Sequence, residues 1–221
     1  MILKRYFFLV FLPFLFAACN QNQDSNEEIE DTDTVEVTNT DTVEMIDAEN
    51  SKHLAFKGVP IDGTLNLFIV RMEKSGFTLV DSQDGIAILK GDFAGYKQCE
   101  VYVSTLEGND IVSYIVVKFP CQNTWEYLYG DYKNLKDLLT EKYGQPSSVK
   151  EEFHDRYLDD DQDRMFAVGF DKCKYETRFV NEKGEIALWI EHDSSLSAFV
   201  CLQYKDKING ATVKQQALND L

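Results

Sequence analysis

The segments "DGTLNLFIVRMEKSG" (62–76) and "TWEYLYGDYKNLKDLLTEKYG" (124–144) decide the fold of this 221-residue chain. In the first, Leu65, Phe68, Ile69 and Met72 recur at helical spacing, and Gly76 supplies a stop. In the second, Trp125, Leu128, Tyr132, Leu135 and Leu139 fall on one helical stripe, with a break expected near Gly130. Laid over each other at a shift of 68, "NLFIVRMEKSG" (66–76) meets "NLKDLLTEKYG" (134–144) with five identities in eleven positions. These match Asn66 with Asn134, Leu67 with Leu135, Glu73 with Glu141, Lys74 with Lys142 and Gly76 with Gly144.

Outward from each helix the pattern changes to alternation. Strands are expected at 77–82, 85–93, 99–106 and 110–119 after the first helix. After the second they are expected at 148–154, 166–180 (long enough to hold a bulge), 185–192 and 198–206. "NEKG" (181–184) reads as a hairpin turn, and "HLAFKGVPI" (53–61) as an opening strand. The expected fold is α+β, with two helix-plus-four-strand antiparallel repeats at 53–122 and 123–208 and a tail at 209–221. The helices would pack on one face of the sheet.

The N-terminus has a different logic. Residues 1–18, "MILKRYFFLVFLPFLFAA", place Lys4 and Arg5 before an apolar run that ends in two alanines, the layout of an export signal. The run is too short for a span of about 20 apolar residues. Residues 20–50 then hold eleven acids and no Lys or Arg, and "DTVE" occurs twice, at 33–36 and 41–44. With no aromatic residue and charge of one sign, this segment reads as an extended, disordered tether. It concentrates the acidity. Of the −18 left once residues 1–18 are set aside, residues 51–221 carry only −7. No basic stripe exists to neutralise phosphates, so nucleic acid is not an expected partner.

"FAAC" (16–19) resembles the lipobox of bacterial lipoproteins, with Phe16 where leucine is usual. The resemblance implies that Cys19 is lipidated and becomes the mature N-terminus, anchoring residues 19–52 to a membrane surface. Each buried acyl methylene stabilises such an anchor by about 0.8 kcal/mol. The acids that follow Cys19 look like the surface-export signals of Bacteroidota-type lipoproteins, which implies an outer-membrane protein facing either the periplasm or the outside. The tandem helix-then-four-strands order looks like the β-lactamase-inhibitor-protein-like fold and its relatives, the small outer-membrane lipoproteins of the SmpA/OmlA kind. "FKGVPIDGTL", "LKGDFAGY" and "LTEKYGQPS" look like segments of uncharacterised Bacteroidota lipoproteins. That resemblance covers about 53–208 and implies a non-enzymatic role in binding another envelope protein.

Little catalytic chemistry is legible. His53, His154 and His192 are far apart in sequence and belong to no HExxH, GxSxG or P-loop pattern, so each reads as a surface or strand-end residue. Cys99, Cys121, Cys173 and Cys201 allow three disulfide connectivities, but none is compelling, and buried free thiols are the favoured reading. No CxxC spacing suggests a redox or zinc site, and no cofactor is expected. Asp159, Asp161 and Asp163 have the alternate spacing of a calcium loop, but Arg164 and Phe170 stand where that loop needs glycine and an acid. A solvated acidic hairpin loop is the favoured reading there. In "WEYLYGDY" (125–132), Tyr127 and Tyr129 fall off the core stripe and are the candidates for an exposed glycan platform. The expected function is a tethered protein-binding or scaffolding lipoprotein. The alternatives are a surface glycan-binding accessory protein and a hydrolase built on an unrecognised pair of carboxylates.

Overall fold

A computed structural model describes residues 51–106, 109–154, 160–194 and 197–219. Residues 1–50, including Cys19 and the acidic segment, lie outside the described residues, as does Asp159.

The described chain opens with a small hairpin, β1 (Ala55–Phe56) and β2 (Val59–Pro60). Its turn needs two left-handed residues, supplied by Lys57 (φ 48°) and Gly58 (φ 80°). Helix α1 (Leu65–Lys74) follows, with the Thr64 hydroxyl accepting from Leu67 N at 3.3 Å. It presents Leu65, Phe68, Ile69 and Met72 to the core, the stripe expected from their spacing. Four strands come next: β3 (Thr78–Gln83), β4 (Ile86–Phe93), β5 (Tyr96–Leu106) and β6 (Asn109–Lys118). Helix α2 (Trp125–Tyr143) is capped by Thr124 and stops at Gly144. Gly76 (φ 90°) and Gly144 (φ 82°) both adopt the left-handed conformation that ends a helix cheaply only at glycine.

The remainder comprises β7 (Ser148–Phe153), α3 (Asp161–Gly169), β8 (Cys173–Val180), β9 (Gly184–Ser194), β10 (Ser197–Asp206) and α4 (Lys207–Asn219). "NEKG" makes the expected turn between β8 and β9. The Asn181 side chain accepts from the backbone N–H groups of Lys183 and Gly184, each at 2.9 Å. Gly184 is also required by space, because a Cβ there would stand 2.3 Å from the Lys205 carbonyl oxygen.

The protein is α+β. Strands β3 to β10 form one eight-stranded antiparallel sheet in the order β3-β4-β5-β6-β10-β9-β8-β7, so β6 and β10 are central neighbours and β3 and β7 are the edges. Residues on the strands alternate between two faces. One face carries Ala87, Leu89, Val101, Val103, Ile115, Val117, Leu188 and Leu202, which join the stripes of α1 and α2 and Met165 and Val168 of α3 in a single buried cluster.

Four expectations are corrected. Residues 166–180 are not one long strand: 161–169 are helical, and β8 begins at Cys173. The loop of Asp161 and Asp163 therefore enters a helix rather than closing a hairpin. No break occurs at Gly130. Helix α2 runs through it unbroken, with Leu128 and Tyr132 fully buried on either side. Residues 209–219, expected in a tail, belong to α4, which buries Asn209. Residues 53–61 form two short strands rather than one.

Candidate functional site

The face of the sheet opposite the core cluster is the candidate site. Its rows follow from the register. Lys90, Glu100 and Lys118 lie side by side on β4, β5 and β6, and the row continues through Cys201, Trp189, Glu176 and Lys150. The neighbouring row is less charged at its centre: Ile88, Tyr102, Val116, Gln203 and Ala187, ending in Arg178 and Ser148.

Polar side chains hold this face in place. Tyr102 Oη donates to Glu100 at 3.0 Å, and the indole N–H of Trp189 donates to Glu191 at 3.4 Å. Lys118 Nζ sits 4.2 Å from the centroid of the Phe199 ring and 3.6 Å from Asp193. Arg178 bridges Glu176 and Glu185. The result is a surface whose aromatic and aliphatic centre is bordered by charges of both signs, the composition typical of a protein interface core and rim.

The thiols of the sheet are not poised for nucleophilic chemistry. Among the described residues, Cys99, Cys121, Cys173 and Cys201 are all free. Burial pushes the Cys99 thiol up to about 11 and that of Cys173 to about 12. Burial, and then the charge of Glu191, pushes Cys201 up further. A thiol held protonated is a poor nucleophile at neutral pH.

Asp161 and Asp163, two of the residues with calcium-loop spacing, stand in the first turn of α3. Asp161 accepts from the backbone N–H groups of Trp125 (3.1 Å) and Glu126 (2.8 Å), so it caps α2 across the chain. Asp160 caps α3 through Asp163 N at 2.8 Å. No group of three or more His, Cys, Asp or Glu residues stands ready to hold a metal ion among the described residues.

Tyr127 and Tyr129 are 64% and 38% exposed, while Trp125 is buried. Tyr129 stacks on Trp125 with centroids 5.5 Å apart and meets Tyr175 edge-on at 6.0 Å, so Tyr127 is the freer of the two. Another exposed aromatic pair, Phe166 and Phe170 on and just after α3, escaped the sequence reading because both were assigned to a strand. Their rings lie 4.2 Å apart.

His53 differs from its expected surface placement. It pairs through Nδ1 with the fully buried Asp206 at 3.1 Å and stands 3.5 Å from Asp62 through Nε2. Asp206 also accepts from Leu54 N (2.8 Å) and Asn209 N (2.9 Å), and Asn209 Nδ2 donates to the carbonyls of Ile61 and Val112. Both carboxylate oxygens of Asp206 are thus engaged in fastening residues 53–54 and α4 to the end of β10. His192 Nε2 lies 3.2 Å from Asp171, and His154 lies 3.9 Å from Glu152.

Comparison with protein-family models, with curated proteins and with solved structures gives no match. The site therefore rests on its own geometry. No described helix is long and apolar enough to cross a membrane.

Proposed function

We propose that this protein is a membrane-anchored envelope lipoprotein whose folded part is a non-enzymatic binding or scaffolding module, with an envelope protein seated on the open face of the sheet. The observation that carries the reading is the composition of that face. The part-exposed Tyr102, Val116 and Trp189 occupy its centre, and Lys90, Glu100, Glu176 and Arg178 border them.

Two features of the chain support it. "FAAC" (16–19) and the acids after it supply a lipid anchor at Cys19 and a spacer. The mirrored sheet order, β3 to β6 and then β10 to β7, supports a reading as two helix-plus-four-strand repeats related about the β6–β10 pair, the second carrying α3 as an insertion between β7 and β8. That is the fold implied by the resemblance to β-lactamase-inhibitor-protein-like lipoproteins. In this reading the protein sits at the outer membrane, facing the periplasm or the outside.

The anchor and the face are tested separately. Cys19→Ala should release the protein from the membrane fraction, and unchanged retention would remove the lipid anchor from the account. Trp189→Ala and Tyr102→Ala should abolish capture of one envelope protein by crosslinking in intact cells while Tyr127→Ala leaves it intact. Equal capture by all three would move the site elsewhere.

The exposure of Tyr127 favours a second reading, a glycan platform at the start of α2. Titration with envelope glycans would then show binding that Tyr127→Ala and Tyr129→Ala remove and Trp189→Ala does not.

A further inference from the structure

A groove of about 640 Å³ opens where the start of the described chain meets α4. Ser51, Lys52, Lys183 and Lys207 line it, together with Glu182 and Ile208. Three lysines and one acid thus line it. Several other surface lysines have acids beside them: Lys118 pairs with Asp193, Lys133 with Asp137, Lys136 with Glu151, and Lys150 with Glu152. None of Lys52, Lys183 and Lys207 has a carboxylate partner among the described residues. The N-terminus of α4 is already capped by Asp206, so the positive character of the groove rests on the lysines.

The chain itself delivers acid to this place. Ser51, a lining residue, is preceded by "EMIDAEN" (44–50), in which Glu49, Asp47 and Glu44 stand two, four and seven positions back. An extended chain covers about 3.3–3.6 Å per residue, which puts these carboxylates within roughly 7, 14 and 25 Å of Ser51. Covalent connection over so short a distance gives an effective concentration of about millimolar or above.

We propose that the lysine-lined groove is a carboxylate-binding site and that its occupant is the acidic segment leading into it, through Glu44, Asp47 and Glu49. The inference holds whether or not Cys19 carries lipid. Its consequence is electrostatic: the acids shield the three lysines at low salt and cease to do so when salt screens the pairs.

The test is amine acetylation of the full chain, read lysine by lysine by mass spectrometry, against the triple variant Glu44→Gln, Asp47→Asn, Glu49→Gln. At low salt, Lys52, Lys183 and Lys207 should react about two- to fivefold faster in the variant, the range that exposed ion pairs of this kind produce. Lys90 and Lys205 should not change. In 1 M NaCl, where the screening length falls to about 3 Å, the wild type should match the variant. Added inorganic phosphate should protect the three lysines in the variant and have less effect in the wild type. Equal rates in the two proteins at low salt, or equal protection of both by phosphate, would overturn the proposal.

Discussion

Strand β10 carries both faces of the sheet within ten residues. Ala198, Val200, Leu202 and Tyr204 enter the single core cluster with the helices, whereas Phe199, Cys201, Gln203 and Lys205 point to the opposite face. The first set is held by the removal of apolar area from water, which is non-directional and large. In the second set Phe199 and Cys201 are buried outside that cluster, while Gln203 and Lys205 are more exposed. Cross-strand contacts on this face, such as Lys118 against Phe199 and Asp193, are each worth a fraction of a kcal/mol. The difference teaches where change is tolerated. The core face fixes the fold, and the open face is free to be shaped by a partner.

The largest effects should fall on the core face. Leu202→Ala should cost about 2–5 kcal/mol, and the urea midpoint would show it. Gln203→Ala, one residue along on the other face, should stay within about 0.5 kcal/mol. Comparable losses at both positions would break the comparison.

Asp206→Ala should come next, at about 1–3 kcal/mol, because it leaves the Leu54 and Asn209 N–H groups without their acceptor. Hydrogen exchange should show the loss concentrated in α4 and residues 53–62. A uniform loss across the sheet would contradict the fastening role assigned to this residue.

The thiols sharpen the comparison further. At pH 8 a thiol reagent should modify the exposed Cys121 promptly and the buried Cys99 and Cys201 only on unfolding. The folded thiols of Cys99 and Cys173 titrate at about 11 and about 12, above the usual 9.0, so the folded state keeps protons that the unfolded chain releases. Their contribution to stability is complete below about pH 9 and is lost as pH rises through 11 to 12. Denaturant titrations at pH 8 and pH 10 should therefore show lower stability at pH 10, and a rise would contradict the burial. The smallest effects belong to the open-face polar contacts. Glu100→Ala, which removes the acceptor of the Tyr102 hydroxyl, should cost only a few tenths of a kcal/mol, or about 1 kcal/mol at most.

The legible parts of the fold were those whose signals are local. Alternating residues gave most of the strands, the stripes of α1 and α2 gave those helices, and Gly76, Gly144 and "NEKG" gave their stops and turn. Helix α3 was missed because Phe166, Ala167 and Val168 form an unbroken apolar run, and Phe166 lies exposed rather than in a core stripe. Its legible signal was the cap, Asp160 followed by Asp163. Helix α4 offers no apolar stripe, and its cap, Asp206, looked like the end of a strand. Gly130 was overread. Exposed, with open space where a Cβ would stand, it costs the helix about 1 kcal/mol, which the burial of Leu128 and Tyr132 readily offsets. The pairing of β6 with β10 joins residues some 90 positions apart in sequence, and no local pattern announces it. The candidate face was equally hidden, since its rows exist only once that register is set. Asp161 was noticed for the wrong chemistry, because an acid spaced for calcium is also an acid placed to cap a helix.

The most direct measurement of the account is site-specific photocrosslinking in intact cells, with the reactive residue placed at Val116 or Trp189 on the open face and at the exposed Leu138 on α2. The account predicts that the same envelope protein is captured from Val116 and Trp189 and not from Leu138. Capture from Leu138 alone, or from none of the three positions, would contradict it.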